Sequence, residues 1–510
     1  VVTESQPASS VVPEADQDRS TSVRAALRSP RRIKTELLAG LVVALALIPE
    51  AISFSVIAGV DPKVGLFASV TMAITIAIAG GRPAMISAAT AAVALVIAPV
   101  MAEHGLDHLI ATVLLGGVIQ VLLSAAGVAR LLRFIPRSVM IGFVNALAIL
   151  VLLAQLPHLI SVPWPVYPLV AAGLVIVFAL PKVFTAVPAP LVAIVVLTAV
   201  VALFGWQVPD VADEGELPTT LPTWMIPDVP WTWQTLTIIG PYALAMALVG
   251  LLESLLTAKL VDDITDTHSN KTREGIGQGV ANLITGLFGG MGGCAVVGQT
   301  MMNVKAAGAR TRLSTFAAGA FLLVLLLGLG ELVGAIPMAA LVAVMIMVAA
   351  ATFDWHSVAP RTLRVMPRSE TAVMIVTVVA TVATGNLAIG VIGGVLVAAV
   401  LFARRVAHLT GVERVEADPE AGTDTVTYRV RGQLFFASAN DLVYRFDYRG
   451  DPPEVRIDLS AAEVWDASSV ATLDVIVRKY AARGTRAEIT GLGGASRARL
   501  DRLTGRLGED

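Results

Sequence analysis

Before residue 406 the chain is built from recurring apolar runs, fourteen of them. They lie near 37–57, 63–80, 86–101, 108–128, 137–156, 165–181, 188–205, 236–257, 274–290, 294–308, 312–330, 336–352, 370–384 and 387–405. Runs of about 15 to 22 apolar residues match the length at which an α-helix crosses a hydrocarbon core of roughly 30 Å. In lipid every backbone N–H and C=O has to be satisfied inside the protein, so runs of this kind span as helices. The chain as a whole is 55% hydrophobic and 15% charged, against roughly half and a quarter in soluble domains. The pattern predicts an α-helical polytopic membrane protein.

The placement of charge orders these runs. With the N-terminus inside, the inside turns collect Arg82, Arg130, Arg133, Arg137, Lys182, Lys259, Lys271, Arg273, Lys305, Arg310, Arg312, Arg361, Arg364 and Arg368, while the outside turns hold Lys63 alone. The largest outside loop, 205–234, carries Asp210, Asp213, Glu214, Glu216 and Asp228 and no Lys or Arg. Cytoplasmic loops are the ones enriched in Lys and Arg, so both termini are expected in the cytoplasm of a bacterial cell, with the protein in the plasma (inner) membrane. The halves 37–205 and 236–405 hold seven segments each, and an odd number inverts the second half relative to the first. A mid-helix glutamate opens each half (Glu50, Glu253), and a Gly-Gly turn precedes the short third segment of each.

The flanking regions differ in kind. Residues 1–22 are polar and expected to be disordered. No small-residue cleavage site follows the first apolar run, so no cleavable signal peptide is expected. A membrane-spanning domain over 23–405 is followed by a charged tail over 412–510. Strand-like runs at Thr425–Val430, Glu454–Leu459 and Arg486–Thr490, a helical stretch over Ser468–Arg483 and a final basic helix read there as a small cytoplasmic α/β domain. The single cysteine, Cys294, excludes an intrachain disulfide, and no His/Cys spacing suggests zinc. No cofactor, metal or nucleic-acid partner is expected. The lack of a nucleophile–base pair argues against an enzyme.

Two glycine-bounded patches, Gly80–Thr90 and Gly289–Thr300, break the spanning runs at corresponding places in the two halves. Paired broken helices point to a transporter's substrate site. Helix starts near Ser87 and Ala295 would offer unpaired N–H donors and the positive end of a helix dipole to an anion. Thr90, Gln299 and Thr300 could add side-chain donors; taken singly, the glycines read equally as close-packing residues. Glu50 and Glu253 each lie about midway through a span, where a carboxylate is costly unless protonated, paired or facing a polar cavity. Each is either a proton carrier or a hydrogen-bonded link between helices. No Lys or Arg lies in either patch except Arg82, at a turn. Cys294 reads as a small packing residue, and Arg130, Arg133 and Arg137 as topology determinants. His104, His108 and His158 read as loop or interface residues. In the tail, Asp466 and Ser468 lie between a strand and a helix, as an N-cap or as a phosphorylation or nucleotide-sensing spot.

On these residues the chain resembles the SulP family of anion transporters, relatives of the mammalian sulfate-transporter and prestin family. The resemblance runs from Leu37 to the C-terminus through IPEAISFSVIAGVDPKVGLFAS, GGRPAMISAAT, LLRFIPRSVMIGFVNALAIL, LLESLLTAKLVDDIT, GGCAVVGQTMMNVKAAGARTRLST and, in a STAS-like tail, IDLSAAEVWDASS. It implies a seven-plus-seven inverted repeat like that of uracil permeases. A core bundle (segments 1–4 and 8–11) would move past a gate bundle (5–7 and 12–14) in an elevator-like way, in a homodimer whose STAS domains could meet a cytoplasmic regulator. By position it implies a substrate pocket of Glu50, Phe54, Ala89, Thr90, Ala295, Val296, Val297, Gly298 and Gln299. Glu253 and Thr257 would be the coupling-ion position.

The departures from family patterns narrow the expectation. Sodium-coupled bicarbonate carriers of the family have an Asp where this chain has Glu253 and a polar residue near the apolar Val297. A hard cation wants several oxygens at short range, so proton coupling is favoured. Thr300 stands where some animal members carry an Arg, and Ala467 replaces a frequent hydroxyl in the STAS signature. The expected function is secondary active transport of a small anion (sulfate, bicarbonate or a dicarboxylate) with a proton. The alternatives are a sodium-coupled bicarbonate symporter, an anion exchanger and, further off, a nucleobase permease or an anion channel.

Overall fold

The structure is a computed structural model and describes residues 21–127, 135–183, 188–218, 220–230, 232–416 and 425–504. Arg130 and Arg133 lie outside the described residues, as do residues 1–20 of the N-terminal stretch. By Cα clustering the chain divides into two compact units with the boundary at Gly394/Val395.

Among the described residues each of the fourteen apolar runs overlaps a helix, the last of them (387–405) crossing the boundary between the units. After α1 (Val23–Leu27) come α2 (Pro30–Ala58), α3 (Pro62–Ala79), α4 (Ala91–Ala125), α5 (Arg137–Leu153), α6 (Val166–Val183) and α7 (Ala189–Phe204). The second half follows with α8 (Trp233–Thr265), α9 (Lys271–Leu287), α10 (Val297–Met301, continued by a π turn over Met302–Ala306), α11 (Arg312–Gly334), α12 (Met338–Thr352), the short α13 (Pro360–Val365), α14 (Arg368–Thr384) and α15 (Leu387–Ala407). Two predicted segments share α4, which bends at Gly105, a residue with φ of 81°. Among the described residues seven helices are long and apolar enough to cross a membrane, α4 and α8 among them, and shorter apolar helices lie between them. Helix ends follow local chemistry. Proline sits in the first turn of α2, α3 and α7, where a missing N–H costs nothing, and left-handed glycines close α2 (Gly59) and α7 (Gly205).

The helices form two bundles. In the core, α4 packs against α8 and α9, and α3 and α11 pack against α2 and each other. In the gate, α12 packs on α5, α6 and α7, while α14 packs on α5. This is the seven-plus-seven arrangement with core and gate that the resemblance implied. The halves meet inside the core through two short strands, β1 (Ser87–Ala88) and β2 (Cys294–Ala295), paired antiparallel.

The second unit, described by itself, begins within α15, since that helix runs unbroken past the composition change at Arg405. Its sheet has the order β3 (Gly411–Val415), β4 (Thr425–Leu434), β5 (Glu454–Val464), β6 (Arg486–Thr490), with β3 antiparallel to β4 and the rest parallel. Three more helices, α16 (Phe436–Leu442), α17 (Ala467–Ala481) and α18 (Gly494–Leu503), complete it. Alternate residues of β5 (Val455, Ile457, Leu459) and the face of α17 bearing Val470, Leu473, Ile476 and Tyr480 close one buried core. The strand β3 and helix α16 are additions to the elements read from sequence.

Candidate functional site

The two glycine-bounded patches do meet. Ser87 stands opposite Ala295 and Ala88 opposite Cys294. Val296 N–H donates to Ile86 O at 2.9 Å, extending the pairing by one bond. Contrary to the expected helix starts near Ser87 and Ala295, these residues are extended, and the helices begin later, at Ala91 and Val297. The reason is competition for backbone groups: the crossing strands take the N–H and C=O bonds that a helix start would have left open. Gly293, next to β2, could carry no side chain, for a Cβ there would lie 2.0 Å from Ala88 O.

A ladder of polar side chains on α9, spaced four residues apart on one face, supports the crossing. Glu274 Oε2 accepts from the N–H groups of Gly81 (2.7 Å) and Arg82 (2.8 Å). Gln278 Nε2 donates to Ser87 Oγ (2.7 Å) and Glu274 Oε1 (2.9 Å). Asn282 Nδ2 donates to Gly293 O and Gln120 Oε1, while Asn282 Oδ1 accepts from Gly293 N–H. From other helices, Ser254 Oγ accepts from Ala295 N–H (3.1 Å) and Ser69 Oγ from Ala89 N–H (3.2 Å). Sequence reading passed over this ladder; the i, i+4, i+8 spacing of Glu274, Gln278 and Asn282 on one helix face was its signal.

Around the crossing most of the expected site residues come together. Glu50 on α2 pairs with the side chain of Gln299 on α10. Gln299 is buried, and its Oε1 has no hydrogen-bond partner. Thr90 caps α4 by accepting from Val93 N–H (3.4 Å). Phe54, Ala89, Ala295 and Val296 are buried, whereas Val297 and Gly298, the first turn of α10, are exposed. Glu253 on α8 accepts a hydrogen bond from Cys294 Sγ at 3.0 Å, and Cys294 Sγ lies 3.1 Å from Thr90 Oγ1. Cys294 is therefore bonded to both neighbours as well as packed. Thr257 spends its hydroxyl within its own helix, donating to Glu253 O at 2.8 Å.

Two expectations need correcting. Thr300 is no pocket donor: its Oγ1 accepts from Ile86 N–H at 3.0 Å and lies 3.4 Å from Ile86 O, stitching the halves together. Arg82, read as a turn residue, is buried. Its Nη1 reaches Asp262 Oδ1 (2.9 Å) and Thr267 Oγ1 (2.7 Å), and its Nη2 reaches Thr265 Oγ1 (2.6 Å). Burial pushes the guanidinium below its ordinary value, and Asp262 opposes the shift. Lys271 Nζ binds the other oxygen of Asp262 at 2.6 Å. In the second unit Asp466 caps α17, with Oδ1 accepting from Ser469 N–H (2.9 Å), and Ser468 is exposed. Among the described residues no group of three or more metal-ligating side chains comes together.

The comparisons agree with this architecture. The model described as "Sulfate permease family" matches residues 33–167 and 162–377, and the STAS domain model matches residues 416–504. YbaR of Bacillus subtilis, which carries a provisional name as a sulfate transporter, is 52% identical over 471 residues, 92% of this chain and 97% of YbaR. The bicarbonate transporter BicA of a Picosynechococcus species is 26% identical over 529 residues, 93% of this chain and 91% of BicA. Among solved structures, the transmembrane domain of a cyanobacterial BicA is similar with a TM-score of 0.64 at 25% identity, covering 70% of this chain and 97% of that one. The murine anion transporter Slc26a9 shares the fold with a TM-score of 0.79 at 16% identity, covering 98% and 92%. With two halves joined by a strand crossing inside the core and a STAS domain following in the sequence, the chain belongs to the sulfate permease family of anion transporters.

Proposed function

We propose that the protein is a secondary active transporter that carries a small anion together with a proton, by an elevator-like movement of the core bundle against the gate. One observation carries the reading: the start of α4 at Thr90 and the mid-span acid Glu253 share a single hydrogen-bonded partner, Cys294. Helix starts supply donors and positive potential to an anion without a fixed cation. The side-chain partners of Glu50 and Glu253 are Gln299 and Cys294, neither of them a cation. An acid so placed is uncompensated when ionised, which makes proton uptake its natural role. In this reading Glu50, Phe54, Ala89, Thr90 and the 295–299 stretch line the pocket, Glu50 shapes or gates it, and Glu253 takes the proton. Thr257, committed to its own helix, does not offer the ring of oxygens that sodium requires.

Sulfate and bicarbonate are the substrates to test first, since relatives bear those names. The charge asymmetry of the turns supports cytoplasmic termini and a STAS domain on the cytoplasmic side of the plasma membrane. A homodimer and a regulatory role for the STAS domain belong to the same proposal.

The test is uptake into proteoliposomes at several pH values, with and without a sodium gradient, with sulfate, bicarbonate and succinate in competition. Inward acid-driven uptake of one anion is expected, lost in Glu253→Gln as a response to the pH gradient. A strict sodium requirement, or an unchanged pH response in Glu253→Gln, overturns proton coupling through Glu253. Sodium-dependent bicarbonate uptake would favour the sodium-coupled alternative.

A further inference from the structure

We propose that Cys294 is a positioning residue that links proton occupancy of Glu253 to anion binding at the start of α4, through the chain Thr90–Cys294–Glu253, whose hydrogen bonds reverse direction together. The proposal rests on the reading of Glu253 as the proton site.

The geometry leaves few choices. Cys294 is fully buried, with Glu253 Oε2 at 3.0 Å on one side and Thr90 Oγ1 at 3.1 Å on the other. A thiol has one hydrogen and an ionised carboxylate accepts only. With Glu253 ionised, Sγ–H donates to Glu253, so the Thr90 hydroxyl donates to Sγ and its hydrogen is occupied. With Glu253 protonated, the carboxyl O–H donates to Sγ, the thiol hydrogen turns to Thr90 Oγ1, and the Thr90 hydroxyl hydrogen is released. Each hydrogen stays on its own heavy atom; the only proton gained is the one on Glu253. The released donor stands at the capped start of α4, where Thr90 Oγ1 already accepts from Val93 N–H and where helix donors and dipole favour an anion. One added donor to a charged ligand strengthens binding by about fivefold or more. By linkage the anion and the proton then favour each other by the same factor, which is the requirement for symport.

Among the described residues no titratable group besides Cys294 bonds to Glu253. Of the elements packed against α8, α4 brings Glu103 and His104 just before its bend at Gly105 and Asp107 and His108 just after it, and α9 brings Lys271, Arg273 and Glu274. Lys271 is paired with Asp262, Arg273 with the carbonyls of Ile78 and Ala79, and Glu274 with Gln278 and the N–H groups of Gly81 and Arg82. The strand β2 brings Cys294 itself, and α10 over Val297–Met301 brings no charge, Lys305 lying on the π turn that continues it.

Because the chain has one cysteine, the infrared S–H stretching band of the full-length protein in lipid reports on Cys294 alone. The proposal expects this band to shift to higher frequency on acidification, as the thiol exchanges a carboxylate acceptor for a hydroxyl, in step with the appearance of a carboxylic C=O band that is absent in Glu253→Gln. In Glu253→Gln, whose amide does not titrate, the S–H band should hold one position at every pH. In Thr90→Val it should move at low pH to the position of an unbonded thiol. In uptake with sulfate and bicarbonate as probes, acidification should lower KM by about fivefold in wild type and in Cys294→Ser. Cys294→Ala, which removes the sulfur that occupies the Thr90 hydroxyl hydrogen, should hold the low-pH KM throughout. A carboxylic C=O band that grows without any S–H shift overturns the relay and leaves Glu253 as the proton site. If no such band appears, the reading of Glu253 falls and the relay with it. An unaltered pH dependence of KM in a folded Cys294→Ala, checked by its thermal transition, also overturns the relay.

Discussion

Asn282 grips Gly293 through both of its polar ends, its Nδ2 donating to Gly293 O at 3.0 Å while its Oδ1 accepts from Gly293 N–H at 2.8 Å. A side chain thus takes the place of a third strand beside β2. The expected consequence of Asn282→Ala is the loss of both bonds and an unpaired Gln120 Oε1, at a cost of about 2–3 kcal/mol. Asn282→Asp should be at least as damaging, because a carboxylate cannot donate to the two carbonyl oxygens that Nδ2 now serves. Thermal unfolding of the purified variants measures the first effect, and their ranking checks the second.

The buried pair Arg82–Asp262 has a similar exposure to single changes. Removing one partner of a buried ion pair costs about 3–5 kcal/mol, since the other charge is left without compensation. Arg82→Ala is therefore expected to lower the thermal transition far more than the double variant Arg82→Ala/Asp262→Ala. A double-mutant cycle gives the coupling energy, and additive losses would contradict the pairing. Lys271, left to hold Asp262 alone, should soften but not abolish the single-variant effect.

Glu36 reaches from the first half to the second. Its carboxylate accepts from the N–H groups of Arg310 (2.9 Å), Thr311 and Ser314 at the start of α11. Hydrogen bonds to a charged acceptor contribute about 1.5–3 kcal/mol, and the helix dipole adds to them. Glu36→Ala should cost about 2 kcal/mol or more and fray α11 first, read as faster amide exchange over residues 312–318. Glu36→Gln, which keeps one acceptor oxygen, should be milder.

In the second unit Asp451 Oδ2 accepts from the hydroxyls of Tyr428 (2.8 Å) and Tyr480 (2.6 Å), while Oδ1 accepts from Arg414 Nε (3.1 Å). Burial first, and Asp451 in the same direction, hold both phenols above their usual value, and burial pushes Tyr448 up to about 12. A phenol raised in the folded state contributes stability that is complete below its unfolded value of about 10 and is lost as pH rises through the folded value. The domain should therefore lose stability above about pH 10, with tyrosinate absorbance rising together with unfolding. Tyr480→Phe should flatten that alkaline slope, and an unchanged slope would speak against the cluster.

The helices were legible because an apolar run of spanning length has one solution in lipid, and Glu50 and Glu253 stood out against it. The strand crossing was legible only as a pair of breaks. Glycine and serine mark where a helix stops; they do not say that Ser87 and Ala295 will be partners, a relation between residues some two hundred positions apart. The helix starts were misplaced for the same reason. Arg82 was misread because turn position suggests solvent, whereas burial followed from Asp262, a distant residue with no local signature. Cys294 looked inert because its chemistry comes entirely from its neighbours.

The closeness of Gly293 to Ala88 O bears on how such a transporter can diversify. Where main chain crosses main chain with no room for a methyl group, the centre of the carrier offers mutation no side chain to edit. In the pocket proposed above, changes of selectivity in descendants of this sequence would then come from the surrounding ring, residues such as Phe54, Val297 and Gln299. The crossing itself would pass unaltered from one specificity to the next, a fixed axle around which cargo preferences are exchanged.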